Sequence, residues 1–141
     1  LSHDHHHGLQ LCWKIRTGFS KQVEVERIKN YADWFFTNHL VPHFELEEKY
    51  IFTILDPKNE LVKQALTDHR RLKRLFSETT NLEKSLGLIE EELEKHIRFE
   101  ERILFPEVQK EATPEQLAEI AKIHDHELFA ENDEDTFWLS Y

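Results

Sequence analysis

Methionine is absent from this chain, cysteine occurs once, glycine three times and proline four times in 141 residues. A single cysteine, Cys12, excludes an intrachain disulfide and the usual zinc-thiolate patterns. It falls on an apolar helical stripe and reads as a small buried hydrophobe. So little glycine and proline, with no Asn-Gly or Asp-Gly dipeptide, argues against a β-rich fold. No apolar run approaches the roughly 18 residues of a membrane span, and no secretory signal is visible. The expectation is a cytoplasmic protein without a membrane partner. With no methionine and Leu1 first, an initiating segment is expected to precede the chain. Positive charge is also short, at 18 Lys and Arg against 28 Asp and Glu, a formal net charge of −10. A nucleic-acid partner is therefore not expected, because such binding needs a basic footprint to displace counterions. The one basic cluster, His69-Arg70-Arg71 through Arg74, reads as a solvated helix face.

What is abundant is helix former and histidine. Gln, Glu, Lys, Leu and Ala are common, and ten histidines are many for this length. Four long helices and a short fifth are expected, over about Ser2–Phe19, Val23–Leu55, Glu60–Thr79, Asn81–Lys110 and Thr113–Glu127. Pro42 should kink the second near Asn38–Val41. "DPKN" at 56–59 is a turn, and Asn81 or Thr80 is the expected cap of helix four. Thr113, Pro114 and Gln116 form a helix start with a capping-box pattern. The tail, "AENDEDTFWLSY", is acidic and then aromatic, a loop or a docked terminus. The whole chain, 1–141, is expected to be one domain, with its bundle core over about 1–110 and the C-terminal helix and tail over 111–141.

The helices repeat apolar positions in the alternation of four and three found in bundle cores. The stripes are Leu1, His5, Gly8, Cys12, Ile15, Phe19; then Phe36, Leu40, His43, Glu47, Tyr50, Ile54; then Val62, Ala65, His69, Leu72, Phe76; then Ile89, Leu93, His96, Glu100, Ile103. Each stripe carries a histidine, and two carry a glutamate four residues later. The chain also repeats itself. "HFELEEKYIF" (43–52) matches "HIRFEERILF" (96–105) position by position, and "DHHHGLQL" (4–11) is echoed by "DHRRLKRL" (68–75). Two helix hairpins of one plan follow.

Carboxylates on a core stripe are costly unless paired, and neutral imidazoles there need partners for both ring nitrogens. Bound cations satisfy both demands. Residues at i and i+4 share a helix face, so His43 with Glu47 and His96 with Glu100 each offer a nitrogen and an oxygen, and His5 and His69 add nitrogens. Four histidines and two glutamates exceed a tetrahedral zinc site. With both glutamates bridging two metals, the protein supplies eight of about twelve positions of two octahedral ions. An oxo or hydroxo bridge takes two more, and about two remain for water, dioxygen, nitric oxide or peroxide. Imidazole and carboxylate suit iron, manganese or zinc, and the lack of thiolate disfavours copper(I) and iron–sulfur clusters.

The two His-x-x-x-Glu pairs, "EERILFP" after the second, and the lone histidines of "DHHHGL" and "DHRRL" resemble the hemerythrin-like (HHE cation-binding) domains. The resemblance covers roughly residues 1–110. It implies an all-α, up-down-up-down four-helix bundle holding a non-haem di-iron centre, with His5, His43, Glu47, His69, His96 and Glu100 as ligands and zinc or manganese as substitute metals. It implies binding of, or reaction with, dioxygen, nitric oxide or a related oxidant, and a small-ligand binding protein more than an enzyme. An iron- or oxygen-responsive sensor and a dizinc structural protein are the alternatives. Two departures from the oxygen-carrying hemerythrins stand out. Lys73 occupies the second position of their His-x-x-x-His pair, and His96-x-x-x-Glu100 replaces their His-x-x-x-x-Asp. Both favour a more open site.

Several neighbours compete with these assignments. His6 and His7 rival His5, but their faces carry Arg16 and Lys14, so His5 is preferred. His39, four before His43, reads as a partly buried structural histidine ahead of an extra ligand. Glu45 is a solvated-face residue. Glu48 and Glu101 are expected to face solvent, with a hydrogen bond to a ligand histidine as the alternative. The run His124, Asp125, His126, Glu127 reads as surface. Trp13, Trp34 and Trp138 read as packing residues.

Overall fold

The computed structural model of the chain describes residues 2–125 and 130–139, with side chains over 5–122 and 130–139. It is an up-down four-helix bundle followed by a short C-terminal helix. Helix α1 spans Ser2–Ser20. The second bundle helix is a continuous path through α2 (Val25–Phe35), a π turn (Phe36–Leu40), α3 (Val41–Leu46), a second π turn (Glu47–Ile51) and a 3-10 turn (Phe52–Ile54). Helix α4 (Glu60–Phe76) is the third. The fourth joins α5 (Leu82–Phe99), a π turn (Glu100–Leu104) and α6 (Phe105–Glu111), and α7 (Pro114–Asp125) follows. No strand occurs among the described residues, and no helix is long and apolar enough to cross a membrane. Leu1 and the polar run at 124–127 lie outside the described side chains.

Local chemistry sets the helix ends. Helix α1 closes with Val23 N–H bonded to the Gly18 carbonyl and Gln22 N–H to that of Phe19, with Gln22 left-handed at φ 58°. This is a Schellman pattern. The Asn59 side chain accepts from Leu61 N–H at 2.8 Å and starts α4. That helix stops at Phe76, short of the expected Thr79, and Lys29 Nζ donates to the Phe76 carbonyl at 2.5 Å. Asn81 precedes α5 as expected, but it is left-handed (φ 52°) and its side chain makes no capping bond. The capping box of α7 forms, with Gln116 N–H to Thr113 Oγ1 at 3.1 Å and Thr113 N–H to Gln116 Oε1 at 2.8 Å.

The apolar core has two parts. One gathers Leu11, Cys12, Ile15, Phe44, Leu72, Ile89, Leu93 and Ile97, among others. The second gathers Ile51, Phe52, Leu55, Val62, Ala65, Leu104, Phe105 and Val108. On the last three bundle helices the histidines and glutamates of the stripes fall where the chain passes from one cluster to the other, with Phe44 and Ile97 of the first cluster interleaved among them.

The π turns correct the expected stripes. A π turn closes on the carbonyl five residues back, as Phe52 N–H does on Glu47 and Phe105 N–H on Glu100. It therefore holds one residue more than an α turn, and the next inward position comes one residue late. Ile103, expected in the core, is 49% exposed, while Leu104 is 0% exposed. Likewise Tyr50 and Ile54 are only half-buried, and Ile51 and Leu55 are buried in their place. The third π turn, Phe36–Leu40, lies where Pro42 was expected to disturb its helix. Pro42 and Pro106 each follow a π turn, whose wider ring absorbs the bond that proline cannot donate. Trp13, expected to pack, is 49% exposed.

The tail docks. Phe137 is buried in the first core cluster. The Arg27 guanidinium grips Asp135 with two bonds of 2.8 and 2.7 Å, and Lys21 Nζ donates to the Trp138 carbonyl at 2.9 Å. Gly18 makes room, since a Cβ there would lie 2.7 Å from Ile28 Cδ1 and 2.9 Å from Phe137 Cε1. Gly87, by contrast, has nothing within 4 Å of such a Cβ. Gly18→Ala is expected to cost about 1–2 kcal/mol, because overpacking exceeds the helix-propensity gain of about 1 kcal/mol. Gly87→Ala should stabilise by about 0.5–1 kcal/mol. Denaturant unfolding of both variants checks the opposite signs.

Candidate metal centre

His5 stands in the first turns of α1, His43 on α3, His69 on α4 and His96 on α5. Glu47 and Glu100 are each the first residue of a π turn. All six side chains are buried, the two glutamates at 0% and 1% exposure. They form two overlapping groups, each with its donor atoms within 4.8 Å of one another. One is His5, His43, Glu47 and Glu100, and the other is Glu47, His69, His96 and Glu100. Both glutamates belong to both groups.

The imidazoles present one nitrogen, Nε2, to the carboxylates. His43 Nε2 is 3.3 Å and His5 Nε2 3.8 Å from Glu47 Oε2, while His69 Nε2 is 3.3 Å from Glu47 Oε1. Glu47 thus turns one oxygen to each group. Glu100 Oε1 lies 3.0 Å from His96 Nε2 and 3.4 Å from His5 Nε2. Donors that each sit about 2.0–2.2 Å from a common ion have separations of this size.

The other nitrogen, Nδ1, faces outward to a second ring of carboxylates. His69 Nδ1 pairs with Glu48 Oε2 at 2.7 Å and His96 Nδ1 with Asp68 Oδ2 at 2.9 Å, while His5 Nδ1 lies 3.3 Å from Glu101 Oε1 without a hydrogen bond. Such partners fix the tautomer and aim Nε2 inward. Glu48, expected to face solvent, instead serves His69, as the alternative reading allowed, whereas Glu101 is exposed as expected. Asp68 was not foreseen. Its signal was the Asp-His dipeptide that begins both echo segments. Phenyl rings hold the imidazoles in place, with Phe44 stacked on His69 at 3.8 Å and Phe105 on His5 at 5.3 Å.

His6 is exposed, His7 is half-buried, and neither joins a group. His39 packs against Trp34 and Phe35 and meets the Ala130 carbonyl at 3.3 Å, also outside both groups. Glu45 is exposed, as are Arg70, Arg71, Lys73 and Arg74.

The fit to cations rests on orphaned atoms. Among the described residues, His5 Nε2, His69 Nε2, His96 Nε2, both Glu47 oxygens and Glu100 Oε2 are buried without a hydrogen-bond partner. Leaving that many buried polar atoms unpaired is destabilising. Two cations bound by these nitrogen and oxygen donors would satisfy the inward-facing atoms. Comparisons with known protein families, curated proteins and solved structures return no match to this chain. Fold and side chains together define a helical bundle with a dinuclear-type donor set in its core. The bundle and its two His/Glu groups match the architecture of hemerythrin-like (HHE) di-metal domains.

Without cations, protons on the imidazoles offset the buried carboxylates. Burial pulls the His96 pKa down, but Asp68 and Glu100 outweigh it and carry it up to about 10. His5 and His69 are raised likewise against burial, by Glu100 and Glu47 and by Glu47 and Glu48 respectively. Burial pushes Glu47 up, yet the imidazoles of His43 and His5 and a bond from Glu100 hold it well below the usual carboxylate range. A histidine raised from about 6.5 stabilises the fold fully below that pH and loses the contribution as pH climbs through the folded value. The metal-free protein should therefore melt at falling temperature as pH rises from about 6.5 toward 10. The metal-loaded protein, whose imidazoles are already deprotonated, should instead lose stability on acidification. Thermal melts with and without chelator check both slopes. Asp68→Ala, which frees His96 Nδ1, is expected to weaken metal binding about 10–100-fold, read by chelator competition.

Proposed function

We propose that residues 1–141 form one hemerythrin-like domain that binds two iron ions through His5, His43, Glu47, His69, His96 and Glu100, and that binds or reacts with dioxygen, nitric oxide or a related small oxidant. One observation carries the reading: two fully buried carboxylates face four buried imidazoles, and the inward nitrogens of His5, His69 and His96 have no hydrogen-bond partner. Mixed nitrogen and oxygen donors suit iron, with zinc or manganese as substitutes. When bound, such a pair of iron ions supplies one- and two-electron chemistry toward small diatomic ligands and peroxide.

The chain's own residues supply the rest. Glu47 and Glu100 hold the two groups together. Glu48 and Asp68 take the Nδ1 protons of His69 and His96 and keep their Nε2 atoms turned inward, and Glu101 places a carboxylate beside His5 Nδ1. Phe44 and Phe105 fix the ring planes and exclude bulk water, which strengthens every charge interaction inside. Because Lys73 replaces a histidine of the oxygen carriers, the site offers fewer nitrogens and more room for a small ligand.

A second reading, an iron- or oxygen-responsive sensor, is favoured by the cost of the orphaned atoms themselves. Metal that binds only the folded chain stabilises it by mass action, so occupancy is coupled to the integrity of the bundle. Metal analysis with the optical spectrum separates iron from colourless zinc, and anaerobic reduction followed by oxygen separates a stable adduct from a protein that only melts earlier on chelation. Glu47→Ala and Glu100→Ala are expected to lose most of their metal, while Glu45→Ala keeps it. Equal metal content in the three variants would overturn the ligand assignment.

A further inference from the structure

A second buried polar cluster lies away from the metal centre, where the tail meets α1 and α2. Tyr31, buried on α2, donates its hydroxyl proton to Glu131 Oε1 at 2.5 Å. Lys14 Nζ, also buried, bonds the same phenol oxygen at 2.7 Å and Glu131 Oε2 at 2.7 Å. Aromatic rings lead from this cluster along the second bundle helix as far as His39. Tyr31 lies 5.4 Å from Trp34, and Trp34 lies 5.0 Å from His39. His39 precedes His43 by four residues, a rise of about 6 Å. On the outer side Tyr31 touches Trp138 at 4.9 Å, and Lys14 Nζ sits 3.9 Å over the Trp138 ring.

We propose that Tyr31 is a redox-active one-electron donor to the metal pocket, reached through Trp34 and His39, with Glu131 as the acceptor of its proton. A phenol that loses an electron becomes a strong acid, so oxidation at moderate potential needs a base already in contact. Glu131 is that base. The step balances: the Tyr31 O–H bond breaks, the proton forms an O–H bond on Glu131 Oε1, and the one electron that leaves the ring would be taken up by the oxidised metal pair when it is bound. Peroxide is the oxidant class that drives the centre, and a one-electron reductant from solution restores the phenol while Glu131 returns the proton. Burial and the Glu131 carboxylate both raise the Tyr31 pKa, so the phenol keeps its proton until it is oxidised. The Lys14 ammonium lies over both the Trp138 and the Tyr31 rings and disfavours a cation radical on either, and Tyr31 alone of the two escapes that charge by passing its proton to Glu131. The electron-transfer half rests on the proposed metal centre. The proton-transfer half does not.

The experiment separates the two halves. In metal-free protein, flash-generated ruthenium(III) tris-bipyridine is the oxidant, and the phenoxyl absorption is followed in time. Tyr31→Phe should remove a fast phenoxyl phase that Tyr50→Phe retains. Glu131→Gln should slow that phase by on the order of a hundredfold, the scale of losing a positioned proton acceptor. Asp135→Asn, which loosens the tail at Arg27 without touching the phenol, should leave the rate unchanged. An equal slowing in Asp135→Asn and Glu131→Gln, or none in either, overturns the proposal and leaves the cluster a docking latch. In the second arm the iron-loaded, reduced protein meets hydrogen peroxide and is frozen for electron paramagnetic resonance. A phenoxyl signal lost in Tyr31→Phe and delayed in Trp34→Phe is expected, and its absence from a protein that holds its iron overturns the relay. Failure to take up iron at all is read from metal content and overturns the metal reading and the relay together, while the result of the first arm for Tyr31 and Glu131 stands.

Discussion

The interaction on which the structure depends is the meeting of Glu47 and Glu100 with four imidazoles at the bundle axis. Two carboxylates at essentially zero exposure cannot stay ionised in an apolar interior without positive charge beside them. Protons on the histidines or cations between them supply that charge, and nothing else among the described residues does. The layer also lies between the two apolar clusters, so the packing on either side sets how closely the six donors approach. The competition between protons and metal follows from the same geometry. Donors held 3.0–3.8 Å apart by four separate helices cannot relax away from one another without opening the core.

An internal repeat organises the surroundings. In each ten-residue copy the first residue of the Glu-Glu pair turns to the axis. The second reaches the Nδ1 side of a histidine on a helix outside the copy, Glu48 to His69 and Glu101 to His5. The closing phenylalanine lies against the same histidine, Phe52 with His69 and Phe105 with His5. Each copy therefore supplies donors and also orients a donor that it does not contain. The π turns belong to this plan, since both begin at the inward glutamate. The extra residue rotates the following helix so that Leu104 and Ile51, rather than their predecessors, close the second apolar cluster.

The docked tail adds a second polar focus with a different character. The metal layer gathers imidazole and carboxylate with nitrogens left unsatisfied. The Lys14–Tyr31–Glu131 cluster is saturated, each group bonded to the other two. Phe137 beneath it and the bare backbone of Gly18 hold the tail in register. Saturation makes the cluster a stable latch, and the short phenol–carboxylate contact gives the latch a route for a proton.

The helices, their number and the six inward donors were legible in the chain, because helical periodicity is local and a charged residue on an apolar stripe has few explanations. The choice of His5 over His6 and His7 was legible for the same reason, since the rival faces carry cations. Tertiary structure alone decided three things. It placed Asp68 on His96, a contact between α4 and α5 that no spacing along one helix encodes. It moved the core from Ile103 to Leu104, because a π turn is a response to packing and to a nearby proline and breaks the periodicity from which the stripe was read. And it seated the acidic tail on Lys14, Tyr31 and Arg27, a pairing across a hundred residues or more that composition can suggest only as charge. Local patterns determine which faces turn inward, whereas the partners those faces meet are fixed only once all the helices compete for the same space.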